Sequence, residues 1–369
     1  MKRLVFTVTN DLSYDQRMIR ICDSLANAGY DVTLVGRKMS GSIPLQSKSY
    51  KQKRLSLFFQ KGKAFYVEYN IRLFFFLLFK KADLICAVDL DTILPCYFAA
   101  KIKRTKRVYD AHELFCEMKE IVTRPKIYKV WKRIERFAVP KFKYGYTVNS
   151  LIRDEFKKMY GREYEVIRSL PVLRPFVAPE KRAMPAGRQE KYILYQGAVN
   201  EGRSFETLIP AFKNINTRLV IAGDGNFMKQ AKQLVKENCL EQKLVFLGKL
   251  EPDKLFEVTM NAWVGLTLFE NKGLSNYYSL ANRFFDYIQA GIPQLCSDYP
   301  AYAELNNQYN VAVLINDLGS ESIAKHLNKL LDDENLYADL QENCMIAREK
   351  LNWQEEEKKL LSYYQSIFE

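Results

Sequence analysis

The stretch VYDAHELF, residues 108–115, holds His112, one of only two histidines in a chain of 369 residues. His112 lies between Asp110 and Glu113, directly after an apolar run typical of a strand. Histidine changes charge near neutral pH, so His112 could move a proton or hydrogen-bond a ligand hydroxyl, with either carboxylate orienting the ring and raising its pKa. The alternative is an ordinary loop residue. Because the side chain follows a strand in a polar loop, we expect it in a functional site, with general-base chemistry as the less favoured role.

A second pair of carboxylates, Asp89 and Asp91, follows the apolar run ADLICAV in the sequence AVDLDT. An Asp-x-Asp pair suits a divalent metal ion, a polar contact with an acceptor molecule, or the capping of a turn. The chain offers two histidines and seven scattered cysteines with no C-x-x-C pair, so it has no cluster of the usual metal ligands. We therefore expect no metal site, and the other two roles stay open.

In the second half, the strand-like run YILYQG ends at Gly197, and a short loop carries Arg203 just before a predicted helix. A cation beside the free N–H groups of a helix start makes an anion site, so a diphosphate could bind there. The alternatives are a solvated surface arginine and an ordinary turn at the end of a strand.

Alternating strand and helix patterns must position these residues. Runs that predict strands cover residues 3–9, 31–36, 82–88, 107–111, 144–148, 192–197, 218–223, 243–248, 264–269, 293–297 and 311–315. Helical spacing between them favours parallel sheets with helices on their faces, and the proline-broken stretch 166–191 separates two such series. The sequence predicts an α/β fold with a first domain (1–172), a linker (173–190), a second domain (191–350) and a C-terminal helix (351–369).

Charge is distributed unevenly over the two halves. The net charge is +13, with 29 Lys and Arg against 13 Asp and Glu in residues 1–150, but 17 against 24 in residues 201–369. The basic half suits an anionic surface, such as phospholipid, lipid pyrophosphate or nucleic acid. The longest apolar run, LFFFLLF at residues 73–79, is far shorter than the ~20 residues of a spanning helix. With scattered cysteines and no signal-peptide pattern, we expect a protein of the reducing cytoplasm.

Several segments occur in one family in this order: YQGAVNEGRSFETLIPA, LVIAGDG, LVFLGKL and NRFFDYIQAGIP. Together with TNDLSYDQRM, AVDLDT and VYDAHELF, they resemble the retaining, nucleotide-sugar-dependent glycosyltransferases of the GT-B fold, in particular glycosyltransferase family 4 and its bacterial surface-polysaccharide subgroup. The resemblance covers nearly the whole chain. It implies two doubly wound Rossmann-like domains facing a central cleft, with the terminal helix packing back on the first domain.

The resemblance implies a donor site in the second domain. In the family, an arginine after the first glycine and a lysine five residues later contact the phosphates; here Ala198 and Arg203 hold those positions, so we expect another arginine or lysine, for instance Arg283, to supply the missing charge. The ribose-binding glutamate of the family falls on Asp286, and an earlier glutamate position falls on Tyr278. The implied donor-site residues are Gly197, Arg203, Gly223, Lys249, Leu250, Ser279, Leu280, Asn282, Arg283 and Asp286.

The resemblance also implies a catalytic and acceptor side in the first domain. His112 would point toward the transferred sugar, with Asp110 and Glu113 as its catalytic neighbours. The loop after the first strand would face the acceptor, although Thr9-Asn10-Asp11 replaces the glycine pair frequent in the family. The implied acceptor-side residues are Asn10, Asp11, Asp89 and Asp91.

The expected activity is transfer of a hexose or N-acetylhexosamine from a UDP- or GDP-sugar to a polyprenyl-linked or oligosaccharide acceptor, with retention of configuration. No cofactor beyond the donor, no metal and no nucleic acid is expected. The basic clusters at residues 101–107 and 126–136 suggest peripheral binding to the anionic inner face of the plasma membrane, or simply a solvated face. The apolar run 73–79 is either part of that surface or a core helix. The alternative functions are a UDP-sugar 2-epimerase of the same architecture and a non-catalytic protein that binds anionic polymers.

Overall fold

The computed structural model describes residues 1–175 and 191–369. The chain divides into two compact units: residues Met1–Ser169 with Glu355–Glu369, and residues Leu170–Gln354. Most of the predicted linker, residues 176–190, lies outside the described residues. The predicted α/β class is confirmed, because each unit is built on its own parallel sheet with helices between the strands.

The first unit is built on a seven-stranded sheet in the order β3-β2-β1-β4-β5-β6-β7, in which every neighbouring pair is parallel. Its strands are β1 Arg3–Thr7, β2 Asp31–Arg37, β3 Lys51–Leu55, β4 Leu84–Val88, β5 Lys106–Ala111, β6 Tyr144–Thr147 and β7 Glu165–Val166. The strand order reverses between β1 and β4, and ligands of doubly wound sheets bind at the carboxyl ends of strands at such a switch point. The loops that begin at residues 8, 89 and 112 therefore frame the candidate site of this unit.

Six helices connect these strands: α1 Gln16–Asn27, α2 Gly62–Phe79, α3 Ile93–Lys103, α4 Lys119–Val122, α5 Pro125–Ala138 and α6 Ser150–Tyr160. The apolar run 73–79 forms the end of α2, which buries a stripe spaced by four residues: Phe65, Tyr69, Leu73 and Leu77. The core-helix interpretation thus holds for one face of α2. In the described part of the chain, no helix combines the length and apolarity needed to cross a bilayer.

The last helix of the chain, α15 Trp353–Phe368, contributes to the core of the first unit from residue 355 onward. Tyr364 has no exposed surface, its hydroxyl lies 3.2 Å from that of Tyr146, and its ring centroid lies 6.0 Å from that of Phe6. The Lys106 ammonium donates to the carbonyl oxygen of Ile367 near the end of the helix. The final residues are therefore an integral part of the first unit.

The second unit is built on a six-stranded parallel sheet in the order β10-β9-β8-β11-β12-β13. Its strands are β8 Tyr192–Gln196, β9 Arg218–Ala222, β10 Leu244–Gly248, β11 Val264–Thr267, β12 Gln294–Ser297 and β13 Ala312–Ile315. Its helices are α7 Phe205–Ala211, α8 Met228–Glu237, α9 Pro252–Met260, α10 Leu274–Tyr277, α11 Asn282–Gln289, α12 Pro300–Tyr309, α13 Ser320–Asp332 and α14 Glu334–Arg348. The order reverses between β8 and β11, which marks the candidate site of this unit at the carboxyl ends of these strands.

Candidate functional sites

In the first unit, the His112 ring lies between two carboxylates. Its Nδ1 is 3.4 Å from Oδ2 of Asp89, and its Nε2 is 3.1 Å from Oδ2 of Asp110. The backbone N–H of His112 also donates to Oδ1 of Asp89 at 2.9 Å. The backbone of Asp89 has a positive φ of +57°, a conformation that non-glycine residues rarely adopt. Strands β4 and β5 thus deliver three predicted site residues to one place.

This arrangement decides the charge of His112. Burial opposes the charged imidazolium, but the facing carboxylates of Asp110 and Asp89 outweigh it and raise the pKa of His112 to about 9. The ring is therefore protonated at neutral pH, and both nitrogens are donors. An imidazolium donates hydrogen bonds and stabilises negative charge, whereas general-base catalysis would require the neutral ring. The geometry favours the first role.

Asp110 has no exposed surface, so it acts on a ligand only through its neighbours. Its Oδ1 accepts a hydrogen bond of 3.0 Å from Nη2 of Arg17, which in turn donates through Nη1 to the carbonyl oxygen of Ile167 at 2.9 Å. Burial pushes the pKa of Asp110 upward, but Arg17 and His112 hold it below its usual value. Arg17 is 4% exposed and positions this carboxylate, a role that the sequence did not reveal.

Asp91 lies in the turn after β4 and is also buried. Its Oδ2 accepts a hydrogen bond of 2.6 Å from the Thr9 hydroxyl, whereas its Oδ1 is buried and has no hydrogen-bond partner among the described residues. Burial and the nearby Asp89 raise the pKa of Asp91 to about 7. Burial likewise raises the pKa of Asp89 to about 7, although His112 opposes the rise. Within residues 1–175 and 191–369 no group of three or more His, Cys, Asp or Glu side chains could hold a metal ion.

The loop after β1 gives its two predicted acceptor-side residues different surroundings. Asn10 is exposed, and its Nδ2 lies 3.4 Å from Oδ2 of Asp15. Asp11 is 7% exposed and accepts hydrogen bonds from Arg54 Nη2 at 2.5 Å, from the Ser42 hydroxyl, and from a backbone amide. Asp11 is thus committed to holding the loop together, whereas Asn10 is available to a ligand. Glu113 is half-buried directly after His112.

In the second unit, two glycines bring the loops after β8 and β9 into contact. A Cβ on Gly223 would lie 1.8 Å from the carbonyl oxygen of Gly197, and Gly197 itself has φ +117°. The amide of Val199 donates to the carbonyl oxygen of Asp224 at 3.1 Å, and the amide of Phe227 donates back to Val199 at 2.9 Å. No side chain fits at Gly223, so the predicted turn residues have a specific steric function.

Both predicted cations of this unit lie against one aromatic ring. The Arg203 guanidinium carbon is 4.2 Å from the centroid of the Phe269 ring, and that of Arg283 is 4.6 Å from it. Nη1 of Arg203 donates to Oδ1 of Asn276 at 2.9 Å, and Nη1 of Arg283 donates to the carbonyl oxygen of Gln196 at 3.1 Å. An ideal Cβ on Gly197 would lie 3.3 Å from this Nη1, so Arg283 reaches the glycine turn itself.

Arg283 is 7% exposed, and in the described part of the chain its Nε and Nη2 are buried without a hydrogen-bond partner. A buried guanidinium without a counter-charge is costly, and such a group marks a place where an anion would bind favourably. The expectation that Arg283 supplies a second charge beside Arg203 therefore has a geometric basis.

Asp286 on α11 is held by a buried amide. Its Oδ2 accepts from Nε2 of Gln196 at 2.8 Å, and Oε1 of Gln196 accepts from the Thr259 hydroxyl at 2.6 Å. Gln196, the last residue of β8, is 3% exposed and thereby fixes the carboxylate next to the glycine turn. Gln196 and Phe269 are site residues that the sequence did not reveal, although both lie at strand ends on the edge where ligands bind.

The start of α11 is built around Tyr302. The hydroxyl of Tyr302 accepts from the backbone amide of Ala281 at 3.0 Å and lies 3.3 Å from that of Ser279. Leu280 is partly buried against the core cluster that contains Tyr302, and Asn282 is exposed at the first turn. The backbone amide of Ala281 at this helix start therefore already has a hydrogen-bond partner within the protein.

The two residues after β10 have separate surroundings. Lys249 is exposed, whereas Leu250 packs against the core cluster that contains Ala222 and Tyr287. Their implied role toward the base stays a prediction.

Comparison with known families and proteins gives this geometry a context. Residues 178–345 match the family model described as glycosyl transferases group 1. Over 196 residues the chain is 24% identical to an uncharacterized glycosyltransferase of Methanocaldococcus jannaschii, a match that covers 51% of this chain and 48% of that protein. The chain therefore spans about half the length of the curated relative that it matches.

Solved structures resemble the chain over its full length. Sucrose-phosphate synthase from Thermosynechococcus elongatus superimposes with a TM-score of 0.82 at 15% identity, covering 100% of this chain and 99% of that chain. Anabaena HepE, in complex with UDP and glucose, superimposes with a TM-score of 0.75 at 13% identity, covering 99% and 100%. Likeness at these identities concerns the fold, and the predicted GT-B class is confirmed.

Proposed function

We propose that this chain, whose residues 178–345 match the glycosyl transferases group 1 model and whose fold is GT-B, is a glycosyltransferase that moves a hexose or N-acetylhexosamine from a UDP- or GDP-sugar to an acceptor hydroxyl, with retention of configuration. The acceptor is a polyprenyl-linked or oligosaccharide molecule used in cell-surface polysaccharide synthesis. The chain works in the cytoplasm, at the inner face of the plasma membrane.

The observation that carries the donor assignment is the pair of guanidinium groups on Phe269. Arg203 and Arg283 converge on one ring beside the glycine turn at Gly197, and two donors of Arg283 lack partners in the described residues. A nucleoside diphosphate offers the two negative groups that this pair would neutralise. The Asp286 carboxylate, held by Gln196, suits the vicinal hydroxyls of a ribose because it accepts hydrogen bonds from both.

The proposed reaction breaks the bond between the sugar C1 and the donor phosphate oxygen, while the acceptor oxygen bonds to C1 from the same face. The acceptor proton passes to the departing phosphate oxygen, so no protein base is required. Arg203 and Arg283 neutralise the charge that develops on the leaving diphosphate. His112, as an imidazolium held between Asp89 and Asp110, contributes positive charge to the site rather than removing a proton.

Thermal unfolding in the presence of UDP, GDP, ADP, CMP and their common sugars tests the donor site. At a hundredfold excess over its dissociation constant, a ligand of the native state adds about 2.7 kcal/mol of stability. Arg203→Ala should weaken binding of the preferred nucleotide by about tenfold to a hundredfold, because a hydrogen bond to a charged group contributes ~1.5–3 kcal/mol. Arg218→Ala provides the control variant. Arg218 is exposed at the first residue of β9, and so lies at the amino-terminal ends of the strands, away from the candidate site at their carboxyl ends.

Equal loss of binding in both variants, or no response to any nucleotide in folded protein, would contradict the donor site. Incubation of the responding sugar nucleotide then separates the reactions. A 2-epimerase would produce the epimer without acceptor, whereas a transferase needs an acceptor and gives a product whose anomeric coupling in NMR spectra reports retention. Salt-sensitive oligonucleotide binding without a nucleotide-sugar response would favour the anionic-polymer-binding function.

A further inference from the structure

The exposed face of α2 carries an apolar stripe that packs against no other part of residues 1–175 and 191–369. Four side chains spaced by four residues point away from the buried stripe and are each at least half exposed: Val67, Ile71, Phe75 and Phe79. Phe58 and Phe59, just before the helix, are 85% and 55% exposed. Their amides donate to the Glu68 carboxylate at 2.9–3.0 Å, which fixes this aromatic turn at the side of the stripe. The turn and the helix line a groove of about 590 Å³.

The apolar surface continues over two neighbouring helices. α3 packs beside α2 and also contacts α5, so the three helices form one layer on the first sheet. Phe98 and Ile102 on α3, and Val130 and Phe137 on α5, are each more than two fifths exposed. Of the seventeen exposed large apolar side chains in the described residues, ten lie on this layer and the turn before it. Scattered exposed apolar residues are ordinary, but a concentration of this kind marks an interaction surface.

The same layer is strongly cationic. On α2, α3 and α5, seven Lys and Arg are exposed, whereas neither of the two carboxylates, Glu68 and Glu135, is. Glu68 pairs with Arg72 at 2.8 Å, and Glu135 pairs with the buried Lys132 at 2.6 Å. The exposed charge is therefore of one sign.

Cations and aromatic rings alternate on this layer. The Arg72 guanidinium carbon is 5.1 Å from the Phe58 ring centroid, and the ammonium group of Lys141, just beyond α5, is 3.7 Å from that of Phe137. Long basic side chains beside apolar ones place a charged end at headgroup level while the apolar parts enter the interface.

We propose that this layer, the α2–α3–α5 face, docks on an anionic lipid bilayer, with Ile71, Phe75 and Phe79 entering the headgroup and acyl boundary. A second copy of the chain fits the face poorly, because docking face to face would oppose two cationic surfaces. A nucleic acid would pair with the cations but would gain little from aliphatic side chains such as Val67 and Ile102. The proposal rests on the first unit alone and stands independently of the donor assignment.

Cosedimentation of the full chain with phosphatidylcholine vesicles, with and without phosphatidylglycerol, tests the proposal. We expect binding to the anionic vesicles that weakens with salt and is much weaker on the neutral ones. Ile71→Ser should weaken binding about threefold to tenfold, since it removes an entering apolar group. Lys129→Gln should weaken it about fivefold, as expected for one cation near an anionic surface.

Matched controls come from the second unit. Ile346 is 59% exposed, close to the 53% of Ile71, so Ile346→Ser should leave vesicle binding unchanged. Lys325→Gln, at an exposed position on α13, is the corresponding charge control. The thermal unfolding midpoint of every variant, measured without ligand, shows that each protein is folded, and the shift caused by nucleotide is recorded separately, which keeps the two proposals apart.

Equal effects of the two isoleucine variants would overturn the proposal, as would binding that ignores lipid charge. Failure of the wild-type chain to bind anionic vesicles would overturn it as well. Sedimentation velocity adds one more outcome: a dimer that Ile71→Ser dissociates would assign the face to a second copy and refute the bilayer.

Discussion

Replacing Asp89 by Asn tests whether carboxylates hold His112 in its charged form. The substitution keeps an acceptor for the His112 amide and nearly preserves the size of the side chain. It also leaves the buried pair of Arg17 and Asp110 intact. The variant therefore removes one charge with little reason to unfold.

The magnitude follows from the distance of 3.4 Å between Nδ1 of His112 and Oδ2 of Asp89. Even screened as in bulk water, two unit charges at this distance interact by about 1.2 kcal/mol, which is about 0.9 pH unit in a pKa. The site is less polar than water, so this is a lower bound. Asp89→Asn should lower the pKa of His112 from about 9 by one unit or somewhat more, with Asp110 maintaining the rest.

Histidine-labelled protein makes the measurement direct, because the chain has only His112 and His326. His326→Gln assigns the two NMR signals, since His326 lies on α13 in the second unit, with Nδ1 2.8 Å from the carbonyl oxygen of Ser322. The His112 signal that remains in His326→Gln protein is then titrated with pH, with and without the additional Asp89→Asn substitution. The two titrations give the pKa of His112 in each protein.

The same geometry predicts how stability depends on pH. The pKa of His112 is raised on folding, so its stabilising contribution is complete below about pH 6.5 and is lost as pH rises through about 9. The pKa difference corresponds to about 3 kcal/mol of unfolding free energy. A wild-type His112 that titrates near 6.5, or a pKa unchanged by Asp89→Asn, would refute the reasoning and would reopen the general-base role.

Two further predictions concern stability. Gly223→Ala places a Cβ 1.8 Å from the Gly197 carbonyl oxygen and should lower the unfolding free energy of the second unit by about 3 kcal/mol. Gly41→Ala, in the first unit, where a Cβ meets nothing within 4 Å, should change the unfolding free energy of that unit by less than about 0.5 kcal/mol; equal destabilisation by the two variants, each measured for its own unit, would contradict the steric argument. Tyr364→Ala should cost the first unit ~3–5 kcal/mol because the ring is fully buried. Tyr364→Phe, which removes the hydroxyl group near Tyr146 but keeps the ring, should cost about 1 kcal/mol; equal losses would refute the packing role of α15.

The two sheets were predictable because parallel strands covered by helices on both faces read as continuous apolar runs, as LICAV in β4 does. The strand β3 could not be predicted from an apolar run, because its sequence KQKRL carries three cations. Among the described strands, β3 lies at the edge of the sheet and pairs only with β2, so it needs no apolar run to be held in place. Apolar periodicity finds strands by their burial, and it misses a strand that the sheet leaves exposed.

Site residues could be predicted from the sequence where the residue type itself indicates the chemistry. A residue that acts by positioning another side chain could not be predicted in this way. His112, Arg203 and Asp286 stand out by type and by their place after strands. Arg17 lies one helical turn before the buried Ile21 and is itself buried against Asp110. Its position on the buried face of α1 was the available signal; the partner that makes a cation tolerable there comes from β5, 93 residues away in sequence.

The surface charge of the first unit also depends on partners that the sequence does not reveal. A count from the sequence treats every cation of residues 1–150 as part of an electrostatic surface. In the structure, three of them form ion pairs with buried carboxylates: Arg17 with Asp110, Arg54 with Asp11 and Lys132 with Glu135. These pairs hold loops and helices together and contribute nothing to attraction at a distance. What remains exposed on α2, α3 and α5 is a smaller set of cations, but it coincides with an apolar stripe that the sequence assigned either to a core or to a membrane. Because α2 buries one stripe and exposes another, both assignments apply to the same helix, and only the distribution of side chains between its two faces shows which residues to change.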